Sequence, residues 1–151
     1  MNSSDYINQT IAGYDKIAKD WHGTRRQSWG EVDEIIKKYL CEFASQIHTG
    51  ISLLDVGCGN GRLINLIEEF SGQANTKINY VGIDPSHELI KICEKEYNEI
   101  NKENTNIINK QFIINDGLHI KKFLLKETLD KLETTSKFDL ITRKIPMRIY
   151  C

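Results

Sequence analysis

The chain has little of what would fix it covalently or tie it to a membrane. Its four cysteines, Cys41, Cys58, Cys93 and Cys151, show no CxxC pair and no histidine at ligand spacing. That argues against a zinc site or a disulfide frame and for reduced, buried thiols. No apolar run approaches the roughly 20 residues that span a bilayer, and Met1 to Thr10 is too polar for a signal peptide. A cytoplasmic location is the expectation. Charge is as sparing: 20 basic against 21 acidic residues leave a net −1, so there is no global electrostatic argument for nucleic acid, membrane or a strongly acidic partner. Prolines number two, Pro85 and Pro146. What is present, 40% hydrophobic and 27% charged content over 151 residues, is one globular domain's worth.

Hydrophobic periodicity divides the chain. Ile7, Ile11, Tyr14 and Ala18, then Val32, Ile35, Ile36, Tyr39, Leu40 and Phe43, recur at helical spacing, with a break at His22-Gly23-Thr24. After Gly50 short apolar runs alternate with longer amphipathic ones, the texture of βαβ units. The spacing predicts strands near 51–56, 79–83, 111–115 and 138–142, and helices near 61–70, 86–100 and 121–133. Asn98 to Lys110, rich in Asn and Lys, reads as a frayed helix end and loop. The expected organisation is a helical preface over 1–49, an α/β core over 50–141 with a Rossmann-like open parallel sheet in strand order 3-2-1-4, and an atypical tail over 142–151.

The densest signal is Leu53-Leu54-Asp55-Val56-Gly57-Cys58-Gly59-Asn60-Gly61-Arg62, a buried strand running into a glycine-built loop and then into Leu63, Ile64, Leu66 and Ile67 at helical spacing. Glycines at 57, 59 and 61 would let a ligand lie on bare backbone. In open parallel sheets ligands sit beyond the carboxyl ends of the strands. The second predicted strand exits into Asp84-Pro85, and the third into Asn115-Asp116-Gly117. An acid such as Asp84 accepts from two ribose hydroxyls, and Asp116 from an exocyclic amine of adenine. Taken singly, Asp84 reads as the N-cap of the next helix and Asp116-Gly117 as a turn. Asp55 is expected to turn back into the loop, where it accepts from loop amides or from a ligand ammonium. Cys58 fits as a small spacer, with no histidine partner to make it a nucleophile. A dinucleotide fingerprint would need glycine at 62, where Arg62 stands.

The G-x-G-x-G spacing with Asp55 two residues before it resembles the cofactor loop of class I S-adenosylmethionine-dependent methyltransferases. The resemblance implies S-adenosylmethionine as cofactor, its amino acid end on the backbone of Gly57, Cys58, Gly59, Asn60 and Gly61, its ribose on Asp84-Pro85 and its adenine near Asp116-Gly117. The preface Tyr14-Asp15-Lys16-Ile17-Ala18-Lys19-Asp20-Trp21, with Thr24-Arg25 and Trp29, resembles the branch that includes tRNA wobble-uridine carboxymethyl methyltransferases. By that resemblance Tyr14 and Arg25 close over the cofactor, Arg25 pairing with its carboxylate, and Trp29 anchors the second helix.

The acceptor implied is tRNA, with a small molecule or a protein as alternatives. No catalytic residue is assigned and no metal is expected: the cofactor carries the reactive carbon and positioning does most of the work. Thr142 to Cys151 does not resemble the family's continuation. The expectation is a chain cut short or frame-shifted after its fourth strand, or one that pairs that edge with a second copy. A second reading stays open, a catalytically incomplete remnant or partner subunit that binds the cofactor without transfer.

Overall fold

The computed structural model describes residues 3–26, 30–46, 50–97, 106–116 and 140–143. Two helices come first, α1 (Ser3–Thr24) and α2 (Gly30–Gln46). They are followed by β1 (Ile51–Val56), α3 (Leu63–Gln73), β2 (Ile78–Asp84), α4 (His87–Tyr97), β3 (Ile107–Ile114) and β4 (Leu140–Arg143). The strands are parallel and hydrogen-bonded in the order β3-β2-β1-β4. The fold class is therefore the expected α/β one, a parallel sheet with helices preceding it. The helix expected near 121–133, Trp29 and Gly117 lie outside the described residues.

Side-chain alternation along the strands builds two clusters. Ile51, Leu53, Ile78 and Tyr80 face α3 and α4, where they meet Ile64, Ile67, Phe70, Cys93 and Tyr97. Each fully buried Leu or Ile in such a cluster contributes about 1.5–3 kcal/mol. Leu54, Val81 and Ile83 form a smaller cluster of their own, with Val56 and Ile113 against it. Ile36 and Leu40 bring α2 into the larger cluster, whereas Val32, Ile35 and Tyr39 of the same apolar pattern stay exposed. Only the inner edge of that stripe is used.

Three local expectations are corrected. His22-Gly23-Thr24 is the last turn of α1 rather than a break, held by the Thr24 hydroxyl donating to the Asp20 carbonyl at 2.9 Å. The third strand begins at Ile107, inside the stretch read as loop, because Ile107 pairs with Ile78 and Asn106 is tied to α3 through Ser71. The polar residues that suggested a loop belong to a strand whose outer neighbour is absent from the described sheet, and Asn109 there is exposed. Finally, α4 is capped by Ser86 rather than by Asp84: the Ser86 hydroxyl accepts from the Leu89 amide at 3.2 Å.

The first helix of the preface is attached mainly by polar contacts. Among the described apolar side chains of α1, Ala18 alone is buried. The helix docks on α4 instead, through Asp15 Oδ1, which accepts from the Ser86 hydroxyl at 2.5 Å and from the Glu88 amide at 3.1 Å. At its other end, His22 Nε2 lies 3.0 Å from Glu96 Oε1.

Candidate functional site

Sheet register fixes the position of the site. Val56, Ile83 and Ile113 stand level across β1, β2 and β3, so Gly57, Asp84 and Ile114 leave the sheet side by side. The three exits are then tied to one another. The Gly59 amide donates to Asp84 Oδ2 at 2.8 Å, and the Asn115 amide donates to the Asp84 carbonyl at 3.0 Å. Asp84 Oδ1 accepts from the Ser86 amide at 2.9 Å. The acid expected to hold a ribose thus already holds the loop beside it and the turn after it.

Gly57, Gly59 and Gly61 have φ of 76°, 59° and 74°, in the left-handed region where a Cβ is strained. Their surroundings differ from the expectation of a uniformly bare surface. A Cβ on Gly61 would come 2.8 Å from Tyr97 Cε2 and 3.1 Å from Cys93 Sγ, so the missing side chain of this glycine makes room for α4.

The loop's amides turn inward too. Gly57 and Cys58 both donate to the Ile83 carbonyl, at 2.8 and 3.0 Å, and Gly61 donates to the Cys58 carbonyl at 3.1 Å. With Gly59 on Asp84, four loop amides are satisfied by the protein itself. A phosphate-binding loop directs such groups at its anion. This loop does not, in agreement with the failed dinucleotide fingerprint at Arg62.

Beneath the loop, Asp55 Oδ2 accepts from the Tyr80 hydroxyl at 2.9 Å, both residues being buried. Burial first, and then the Asp55 carboxylate, pushes the Tyr80 phenol well above its ordinary range. The tyrosine therefore stays a donor. Cys58 is packed over Gly82, where a Cβ would meet its Sγ at 3.0 Å. Its thiol is pushed well up by contact with the Cys93 thiol and by burial, away from the thiolate form that a nucleophile needs. Cys93 Sγ in turn donates to the Gly59 carbonyl at 3.1 Å.

Above the loop lie the residues of the preface. The Arg25 carbonyl accepts from Asn60 Nδ2 at 2.8 Å, so the end of α1 touches the loop. The Arg25 guanidinium, expected to face a ligand carboxylate, instead stacks 4.0 Å from the centroid of Trp21. Tyr14 meets the same indole edge-on, with ring centroids 5.5 Å apart. Tyr14, Trp21 and Arg25 thus form one stack. Pro85 is half-buried in the bend after β2, and Asp116 is exposed two residues beyond β3.

Residues 47–150 match the family model described as a methyltransferase domain. The chain belongs to that family. A tRNA (carboxymethyluridine(34)-5-O)-methyltransferase of Arabidopsis thaliana is 33% identical over 87 residues, which are 58% of this chain and 18% of that protein. The protein named tRNA (carboxymethyluridine(34)-5-O)-methyltransferase ALKBH8 of Macaca fascicularis is 28% identical over 91 residues, 60% of this chain and 11% of that one. The aligned part is thus under a fifth of the length of either relative. A crystal structure of the plantazolicin methyltransferase BamL, in complex with a triazolic desmethylPZN analog and SAH, superposes with a TM-score of 0.48 at 23% identity, covering 76% of this chain and 39% of that one.

Several residues of this methyltransferase domain escape a reading by sequence motif. Tyr80 reaches Asp55 from the neighbouring strand and Asp15 reaches Ser86 from 71 residues away, so neither partner is visible without the register. Arg62, noted only as a missing glycine, is 5% exposed at the start of α3. Burial and the like charge of Arg25 pull its guanidinium below the usual range, against the opposing pull of Asp55 and Asp33. The Trp21–Arg25 contact was open to detection, the two residues being four apart where α1 ends.

Proposed function

We propose that this chain binds S-adenosylmethionine across the carboxyl ends of β1, β2 and β3, and that the protein transfers its methyl group to an acceptor, tRNA being the acceptor we favour. The observation that carries the reading is the joined set of strand exits, with Gly59 and Asn115 both tied to Asp84. Membership of the methyltransferase domain family supports the chemistry. The printed activity of the Arabidopsis and macaque relatives supports the choice of tRNA.

In this proposal the bound cofactor supplies an electrophilic sulfonium methyl group, and the protein's part is to hold it and to exclude water. Backbone from Gly57 to Gly61 carries the amino acid end. Asp84, with Pro85 behind it, takes the ribose hydroxyls; a carboxylate accepts at about four sites, so holding two amides does not bar it from a vicinal diol. Asp116, with Gly117, lies toward the adenine. Asp55, held by Tyr80, contributes negative charge under the loop. The preface, residues 1–49, covers the core, with Tyr14 and Arg25 at the ligand side. In the stacked arrangement the guanidinium is parked on Trp21, so its pairing with a carboxylate requires a side-chain rotation. No residue is assigned as general base, and a carboxylate acceptor would need none.

Isothermal titration with S-adenosylhomocysteine tests the binding half. Heat that saturates is expected, and silence at millimolar ligand overturns the proposal. Asp84→Ala should cost about 2–4 kcal/mol of affinity for two bonds to an ionised acceptor. Because the same carboxylate secures Gly59, its thermal melt is recorded alongside. Incubation with labelled S-adenosylmethionine and bulk tRNA tests the transfer half: label in the RNA is expected, and binding without label would favour a binding-only role.

A further inference from the structure

Asn60 sits at the centre of the glycine loop, 1% exposed, with its two amide ends treated very differently. Nδ2 donates to the Arg25 carbonyl at 2.8 Å and lies 3.3 Å from His22 Nδ1. Oδ1 is buried and has no hydrogen-bond partner among the described residues. The orientation of the amide is determined by its neighbours. A carbonyl only accepts, so nitrogen must face Arg25 and the oxygen must face the other way. His22 then accepts at Nδ1 and carries its proton on Nε2, toward Glu96. A buried acceptor without a donor costs about 1–3 kcal/mol and is rare in folded proteins. Strain of this kind concentrates where a ligand relieves it.

Resting on the cofactor reading above, we infer that Asn60 Oδ1 accepts a hydrogen bond from the ammonium group of the cofactor's amino acid end, making Asn60 the side chain that distinguishes an α-amino acid terminus from one without nitrogen. One feature favours an ammonium over other donors. The acceptor is desolvated, so a charged donor gains most there. The Arg25 carbonyl held by Nδ2 also keeps the amide from turning over, so Oδ1 stays presented as an acceptor. The same amide thus acts at both ends, Nδ2 fixing the backbone of Arg25 and Oδ1 reading the ligand.

The test is a two-by-two titration of the full chain, wild type and Asn60→Ala, with S-adenosylhomocysteine and its desamino analogue. Wild type should prefer the amino form by about 10- to 100-fold, the range for a bond to a charged group. Asn60→Ala should lose that preference while holding the desamino analogue within about twofold, the usual limit for independent effects. A merely structural role would weaken both ligands alike and leave the preference intact, which overturns the inference. Wild type binding both ligands equally also overturns it, with the cofactor site still standing; wild type binding neither removes the cofactor site itself. Should Asn60→Ala lack a cooperative melt, Asn60→Asp keeps an acceptor oxygen at this position. It should retain at least the wild-type preference, and loss of that preference rejects the assignment.

Discussion

Replacing Asp15 by alanine removes an atom that joins the middle of α1 to the start of α4. Oδ1 accepts from both the Ser86 hydroxyl and the Glu88 amide. Two bonds to a charged acceptor would nominally be worth about 1.5–3 kcal/mol each. Asp15 is only partly buried, water replaces it at one donor, and Ser86 keeps its own cap on Leu89. About 2 kcal/mol is the resulting expectation, close to the upper range for loss of a helix cap. Because Ala18 is the sole buried apolar residue described on α1, that loss should appear as local undocking. Amide exchange across Ser3–Thr24 should accelerate about 30-fold, with little change in β1 and β2. The sign of the pH dependence follows from the carboxyl itself. The Ser86 hydroxyl, opposed by burial and then joined by the Glu88 amide, His87 and Lys91, holds its pKa below the ordinary 3.8. A depressed acid stabilises fully above its unfolded value and loses that contribution as pH falls through its folded one. The difference between wild type and Asp15→Ala should therefore shrink as pH falls below about 4. An unchanged exchange rate in the variant, or a difference that survives undiminished in strong acid, would refute the docking role.

Other outcomes follow from the packing. Gly61→Ala combines a φ of 74° with a methyl 2.8 Å from Tyr97, and should cost about 2–4 kcal/mol from strain and overpacking; a melting temperature within a degree or two of wild type would contradict it. Tyr80→Phe removes the hydroxyl donating to Asp55 and should destabilise by about 1–3 kcal/mol, read by urea denaturation, whereas a neutral result would mean that Asp55 is satisfied without it. Peptide mapping after brief treatment with a thiol reagent should find exposed Cys41 modified and buried Cys58 and Cys93 spared until the protein unfolds; early loss of Cys58 would show that the loop opens.

How much of this was legible depended on how local the cause is. β1 runs from Ile51 to Val56 as expected, because an apolar run between two glycines leaves no other reading. The glycine loop and the acid after β2 were likewise visible, each being a short-range signal. β3 was placed too late, since Asn109, Lys110 and Gln111 interrupt its apolar pattern after Ile107 and Ile108, and the stretch becomes strand only by pairing with β2. The close packing at Gly61 was not visible because its neighbour Tyr97 comes from another helix. Asp15, Tyr80 and the amide of Asn60 owe their significance to partners 25 to 71 residues distant. Spacing along one chain carries no trace of them. Arg25 follows α1 directly and stacks on Trp21, four residues earlier in the sequence, a local signal that was available.

The cross-ties at Asp84 have a thermodynamic consequence. With Gly59 and Asn115 both anchored to that residue, the floor of the crevice acquires its shape during folding, when chain entropy is surrendered anyway. In the proposed cofactor site, a guest would find this main chain already tied by hydrogen bonds and need not order it, which is how a small molecule gains affinity without extra contacts. Calorimetry on such a cradle should register a modest entropic penalty, with rearrangement confined to the side chains overhead.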